Sequence, residues 1–206
     1  MRVVCTANMP FVREAFATLG EPELIDGRAI DADAVRDAEL LAIRSTTRVD
    51  RALLDGSCVR FVGTATIGTD HLDIPYLERN GIAWCYSPGC NADSVSEYVA
   101  AALLCLARRH GFGLEGRTLG VIGVGNVGSR VVRKAQALGM RVLQNDPPRQ
   151  RAAEADGESG HPFLPLEQVL AESDVVTLHV PLTRAGQDAT FHMANRRFFD
   201  ALKPGC

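Results

Sequence analysis

Along the first 87 residues, short β-branched runs alternate with stretches of helical patterning. RVVCT (2–6) predicts a strand. PFVREAFATLG (10–20) predicts a helix, with proline at its start and glycine at its end. ELLAIR (39–44) and VRFVG (59–63) predict two more strands. DHLDIPYLERNG (70–81) reads as a helix, broken or started at Pro75 and stopped by Gly81. IAWCYS (82–87) is a further strand. This alternation predicts the α/β class, with a parallel sheet covered by helices.

The pattern then changes. SPGCNADS carries turn residues, and a long, mostly apolar helix follows it to about Gly111. Asp93, Ser94 and Ser96 are its candidate caps, with Glu97 in the first turn. The division is expected near residue 95, giving domains over 1–95 and 96–206. The second domain repeats the rhythm. TLGVIG (118–123), RVLQND (141–146) and DVVTLHV (174–180) predict strands. VGSRVVRKAQALG (127–139), PLEQVLAESD (165–174) and ANRRFFDAL (194–202) predict helices. PPRQRAAEADGESGHP (147–162) reads as a polar surface loop.

Composition narrows the class further. Hydrophobic residues make up 46% of the chain and charged residues 23%, which suits a globular protein with a real core. The net charge of −3 comes without a basic stripe, which argues against a nucleic-acid partner. Six cysteines (5, 58, 85, 90, 105 and 206) include no C-x-x-C pair. Reduced thiols, mostly buried, are therefore expected, in a cytoplasmic setting and without a metal site. The longest apolar run, YVAAALLCLA (98–107), is about half of a membrane span and reads as a buried helix. No membrane association is expected, and the N-terminus lacks the apolar run of a signal peptide.

The strongest chemical signal is Gly123-Val-Gly125-Asn-Val-Gly128. Alone, G-x-G-x-x-G is weak, but here a strand runs into Gly123 and a helix runs out of Gly128. The first glycine allows a tight turn. The second lets backbone amides approach a pyrophosphate at the helix N-terminus, and the third lets helix and strand pack. An acid at the end of the next strand then binds the ribose hydroxyls. Asp146 stands there, 18 residues beyond Gly128. Its carboxylate repels a 2′-phosphate, so the expected cofactor is NAD rather than NADP; Arg149 and Arg151 nearby weaken that preference. Val180 and Pro181 end the strand DVVTLHV and are placed to face the cofactor. His179 is read as a structural residue at that strand's end rather than as a base.

The first domain carries a second set of polar signals. Arg44, Ser45, Thr46, Thr47 and Arg48 follow a strand, as either a carboxylate or phosphate site or a solvated turn. Gly63 and Gly68 bracket Thr64 and Thr66, and Thr69 follows at once; ligand contact is favoured over an ordinary turn with Thr69 or Asp70 as helix cap. His71 is read as packing in the first turn of that helix. Cys90 has no nucleophile's partner and is read as packing at the domain junction, where Asn91 could make a local hydrogen bond.

The chain ends ALKPGC, and Lys-Pro-Gly is turn chemistry, so a further segment is expected to follow. NMPFVREAF, IRSTTRVD, FVGTATIGTDHLD, SPGCN with EYV, HGFGLEGRT, IGVGNVGSR, NDPPR and HVPLT together resemble the D-isomer-specific 2-hydroxyacid dehydrogenase family, over essentially the whole chain. The resemblance implies a small flavodoxin-like substrate domain, then a Rossmann doubly wound domain incomplete at its C-terminal end. It implies substrate contacts at Ser45 and Thr66. It implies NAD contacts at the Asn126–Val127 turn, at Asp146 and at Val180, where similar sequences commonly carry threonine. The implied substrate is a small phosphorylated 2-hydroxy acid, and the full-length enzyme is expected to be a homodimer. Members of the family continue after L-K-P-G into an apolar strand that ends in Arg-Gly. That arginine binds the substrate carboxylate, and a later glutamate and histidine perform the acid–base chemistry. All three are expected beyond residue 206, so no catalytic residue is expected within this chain. As an isolated fragment it is expected to be inactive and to bind the dinucleotide weakly at most. Two rival readings stay open: a phosphoglycerate or glyoxylate type of substrate, and an NAD-binding protein without catalysis.

Overall fold

Residues 1–157 and 160–206 are described by the computed structural model, and they divide into two units, Met1–Cys90 and Asn91–Cys206. In the first unit, β1 (Val3–Thr6), β2 (Glu23–Ile25), β3 (Leu40–Ile43), β4 (Phe61–Thr64) and β5 (Ala83–Cys85) form one parallel sheet. Its order is β2-β1-β3-β4-β5, the flavodoxin-like arrangement. The register pairs Val4 with Leu41, Ile43 with Thr64, and Val62 with Trp84. β1 and β3 are buried along their whole length, as strands covered on both faces must be. Val4, Leu41, Ile43, Val62 and Leu77 belong to one core, and Val3, Cys5, Leu40 and Ala42 to another.

The helices of this unit are short: α1 (Val12–Phe16), α2 (Ala32–Val35), α3 (Arg51–Leu54) and α4 (Ile74–Arg79). Three of them are started by an aspartate whose side chain accepts backbone amides, namely Asp31, Asp50 and Asp73. α4 begins next to Pro75, so the proline starts this helix rather than breaking it, and Asp73 is the cap in place of Thr69 or Asp70. α1 is shorter than the span 10–20, because Phe11 sits in the left-handed region at φ 57° and detaches Pro10 from the helix.

The second unit opens with α5 (Ala92–His110), whose cap is Asn91 rather than Asp93, Ser94 or Ser96, and without a side-chain bond. The compact unit itself begins at Asn91. α5 ends at Gly111, in the left-handed region at φ 69°. Its apolar run is only partly buried. Leu103 and Ala107 pack into the core, whereas Tyr98, Leu104 and Leu106 are exposed. The cysteines also depart from expectation: Cys5 alone is buried, with its thiol pushed up to about 11, and the other five are exposed.

Next come β6 (Thr118–Ile122), α6 (Asn126–Ala137), β7 (Arg141–Asn145), α7 (Pro147–Ala155), α8 (Leu166–Glu172), β8 (Val175–Leu178) and α9 (Arg196–Asp200). The three strands form a parallel sheet in the order β7-β6-β8. α6 presents Val131, Val132 and Ala135 to the core, where Leu103 and Ala107 of α5 join them. α7 corrects the reading of 147–162 as loop. Pro147 and Pro148 suit a first turn, Asp146 caps it by accepting the Arg149 amide, and RQRAAEA continues it without a buried face. Glu158 and Ser159, which fall in that stretch, lie outside the described residues.

Candidate functional site

The glycine turn stands where β6 becomes α6. Gly123 takes φ 84°, and a side chain there would stand 2.6 Å from the His179 carbonyl oxygen. Gly128 lies on the buried face of α6, and a Cβ on it would overlap the Gly123 carbonyl oxygen. These two glycines let the helix press down on the turn. Gly125 differs. It precedes α6 with φ −74°, which any residue can adopt, and among the described residues no atom beyond its chain neighbours lies within 4 Å of an added Cβ. Packing does not require glycine here; the open space beside it suits a ligand.

Asn126 and Val127 form the first turn of α6. The first amides of a helix have no intrahelical acceptor, and the helix dipole adds partial positive charge at that end. Asp146 stands one residue beyond β7 and binds twice: one carboxylate oxygen accepts the Val124 amide at 2.7 Å, and the other accepts the Arg149 amide at 3.1 Å. It thus ties the glycine turn to the start of α7. Each oxygen keeps a lone pair that can accept from a hydroxyl.

Outside the carboxyl ends of β6, β7 and β8 lies a cavity of about 420 Å³. Gly123, Gly125, Asp146, Pro147, Val180 and Pro181 are among its lining residues. The structure thus brings four of the seven residues singled out for the cofactor into one cavity wall. Asn126 and Val127 adjoin it through α6, and Gly128 works from behind by packing. Sequence reasoning missed the loop after β8, which supplies Thr183, Thr190 and Met193 to the same cavity. Its shape comes from the Thr190 hydroxyl, which accepts the Thr183 amide and donates to the Pro181 carbonyl, a contact that no spacing rule encodes.

The two arginines near Asp146 are already engaged. Arg149 donates to the Val124 carbonyl and lies over the Phe163 ring, and Arg151 pairs with Asp188. His179 also lines the cavity, with Nε2 3.0 Å from the Thr177 hydroxyl, and burial pushes its pKa down.

In the first unit, Ser45 and Thr66 follow the carboxyl ends of the adjacent strands β3 and β4. Ser45 is exposed, and beside it Arg44 donates to the Asn8 carbonyl at 3.3 Å. Thr47 does not join them: it is buried and donates to the Gly27 carbonyl at 2.7 Å. Thr66 is half-buried, and its carbonyl accepts the Ser87 amide at 3.0 Å. His71 precedes α4 instead of sitting in its first turn. It is buried, with Nε2 2.9 Å from the Thr64 hydroxyl. Burial lowers its pKa, outweighing the attraction of Asp70. Cys90 is exposed rather than packed.

Residues 99–206 match the family described as D-isomer specific 2-hydroxyacid dehydrogenase, NAD binding domain. All of the chain aligns with an erythronate-4-phosphate dehydrogenase of Salinibacter ruber at 52% identity, covering 52% of that protein. A Klebsiella pneumoniae protein of the same name is 46% identical over all of the chain and 53% of its own length. The chain therefore spans about half the length of the curated relatives it matches. Among solved structures, the D-lactate dehydrogenase of Aquifex aeolicus complexed with NAD and lactic acid aligns with TM-score 0.77 and 28% identity, covering 98% of this chain and 66% of that one. The NAD⁺-bound 3-phosphoglycerate dehydrogenase of Entamoeba histolytica aligns with TM-score 0.71 and 26% identity, over 89% of this chain and 64% of that one.

Proposed function

The chain belongs to the D-isomer specific 2-hydroxyacid dehydrogenase family, and from that membership we propose that it carries the NAD site and part of the substrate site of an erythronate-4-phosphate dehydrogenase. The proposed reaction oxidises 4-phospho-D-erythronate to 2-oxo-3-hydroxy-4-phosphobutanoate, a step toward pyridoxal 5′-phosphate. The observation that carries this reading is a difference in likeness. The chain shares 52% identity with a curated enzyme of that name, against 28% and 26% with the D-lactate and 3-phosphoglycerate enzymes.

The residues fit NAD. The open side of Gly125 admits a pyrophosphate to the N-terminus of α6, where the amides around Asn126 and Val127 hold it. Asp146 accepts the ribose hydroxyls and repels a 2′-phosphate. Val180 offers its backbone at the cavity wall, without the hydroxyl that threonine would add. Bound NAD supplies the acceptor for the hydride that leaves C2 of the acid. Ser45 and Thr66 hold the substrate on the Met1–Cys90 unit. No residue of 1–206 is assigned the role of taking the 2-hydroxyl proton, and the arginine, glutamate and histidine of the family are placed beyond Cys206.

Two measurements test this. Purified 206-residue chain, given 4-phospho-D-erythronate and NAD, should show no turnover; measurable turnover overturns the placement of the catalytic groups. Ser45→Ala should weaken 4-phospho-D-erythronate binding about tenfold, as expected for one lost hydrogen bond to a charged or polar ligand, and leave NAD binding unchanged. Equal substrate affinity in wild type and variant sinks the Ser45 assignment.

A further inference from the structure

Four groups, from the end of β4 and the connection to α4, form a hydrogen-bonded chain. His71 Nε2 is 2.9 Å from Thr64 Oγ1, which is 2.7 Å from Thr66 Oγ1, which is 3.0 Å from the Gly68 carbonyl oxygen. The direction of each bond follows from counting protons. A carbonyl can only accept, so Thr66 donates to Gly68. That uses the one proton of Thr66, so its oxygen accepts from Thr64. Thr64 has then used its own proton and must accept from His71. His71 therefore carries its proton on Nε2. Its Nδ1 is buried without a hydrogen-bond partner among the described residues, which a bare nitrogen tolerates better than a stranded N–H donor. The lowered pKa of this buried imidazole fits the same neutral form. The loop that carries the chain is held in place by Ser87, whose amide donates to the Thr66 carbonyl at 3.0 Å and whose hydroxyl donates to the Thr64 carbonyl at 3.3 Å.

We propose that the Gly68 carbonyl, by taking the one proton of Thr66, makes its hydroxyl an acceptor, and that His71 is a positioning residue which, through Thr64, holds that hydroxyl in place, so that Thr66 reads a hydroxyl of the substrate and not its carboxylate or phosphate. The proton of Thr66 is committed to Gly68, and one lone pair remains for a ligand. An anionic oxygen has no proton to give that lone pair, whereas an alcohol of the acid does. This rests on the reading of Thr66 as a substrate contact. It adds the group that Thr66 recognises and the residue that holds its hydroxyl in place. The roles divide accordingly: the anionic ends of the acid are held elsewhere, and Thr66 distinguishes hydroxylated acids from unhydroxylated ones.

The first test needs no variant. ¹⁵N spectra of the imidazoles in the 206-residue chain should show His71 protonated at Nε2 and bare at Nδ1. The opposite tautomer reverses the chain and overturns the proposal. The second test titrates the chain with 4-phospho-D-erythronate and with 4-phosphobutanoate, which keeps both anionic ends and lacks the two hydroxyls. Thr66→Val, Thr64→Val and His71→Leu should each weaken phosphoerythronate binding about tenfold and leave phosphobutanoate binding unchanged. His71→Gln can present an N–H at the position of Nε2 and should restore affinity to within about threefold of wild type. If the Thr66 variant weakens both ligands equally, Thr66 donates to an anion and the proposal fails. If it weakens only phosphoerythronate but His71→Leu does nothing, the part assigned to His71 fails. If the Thr66 variant changes neither ligand, Thr66 is no substrate contact, and that reading falls together with what is built on it.

Discussion

Gly125 and Gly128 are chemically identical and structurally opposite. A methyl group on Gly128 meets the Gly123 carbonyl, whereas one on Gly125 meets, among the described residues, no atom beyond its chain neighbours. Gly128→Ala should therefore destabilise the Asn91–Cys206 unit by about 3 kcal/mol, because backbone must move to admit the side chain. Gly125→Ala should fold with stability within about 0.5 kcal/mol of wild type. It should nevertheless bind NAD at least about tenfold more weakly, since the methyl occupies the space assigned to the pyrophosphate. Thermal melts paired with NAD titrations check both; normal affinity in Gly125→Ala contradicts the cradle. The histidines give a pH prediction. His71 and His179 both have pKa values lowered by burial, so the unfolded chain binds protons that the folded chain refuses. Their neutral burial costs nothing above about pH 6.5, and stability falls as pH drops below that value. Melts between about pH 7.5 and about pH 5.5 avoid the carboxylate range, and the slope should flatten in a His71→Gln, His179→Gln double variant. An unchanged slope assigns the titration to other groups. The turn at Gly123 and the close packing at Gly128 were legible in the sequence because a strand and a helix flank them. The Thr64–His71 bond was not, because it depends on how a turn folds back and no periodicity encodes that.

At the level of elements, packing distance sets which residues are tolerated. Gly120 lies in the buried strand β6, and a Cβ there would overlap the Ser173 hydroxyl and stand 2.8 Å from Val169 Cγ1 of α8. Gly120→Ala should push α8 outward and cost about 2 kcal/mol, and the added variant Ser173→Ala should recover part of that loss. Chemical denaturation of the single and double variants measures it, and additive costs would mean that the contact is not shared. The strands and longer helices could be read because burial on both sheet faces leaves continuous apolar runs. β2, α2 and α3 could not: β2 is a partly exposed edge strand without an apolar run, and α2 and α3 are barely one helical turn each. α7 was missed for a different reason. It has no buried residue, so propensity and its Asp146 cap sustain it without the apolar stripe that pattern reading needs. The apolar run in α5 misled in the other direction, since apolar composition does not by itself bury Tyr98, Leu104 or Leu106.

At the scale of the whole chain, two parallel sheets of different strand order carry two candidate sites. Both sites lie where ligands of open α/β sheets are expected, outside the carboxyl ends of the strands. The proposed division of labour gives NAD to the Asn91–Cys206 unit and the acid to the Met1–Cys90 unit. The dinucleotide site is the central claim, and its most direct test is a ligand-observed NMR titration of NAD⁺ into the 206-residue chain, repeated with NADP⁺ and with Asp146→Ala. Weak but saturable NAD⁺ binding is expected, tighter than that of NADP⁺ and reduced by Asp146→Ala. Binding that favours NADP⁺, or NAD⁺ affinity untouched by loss of Asp146, would contradict the assignment of that carboxylate to the ribose.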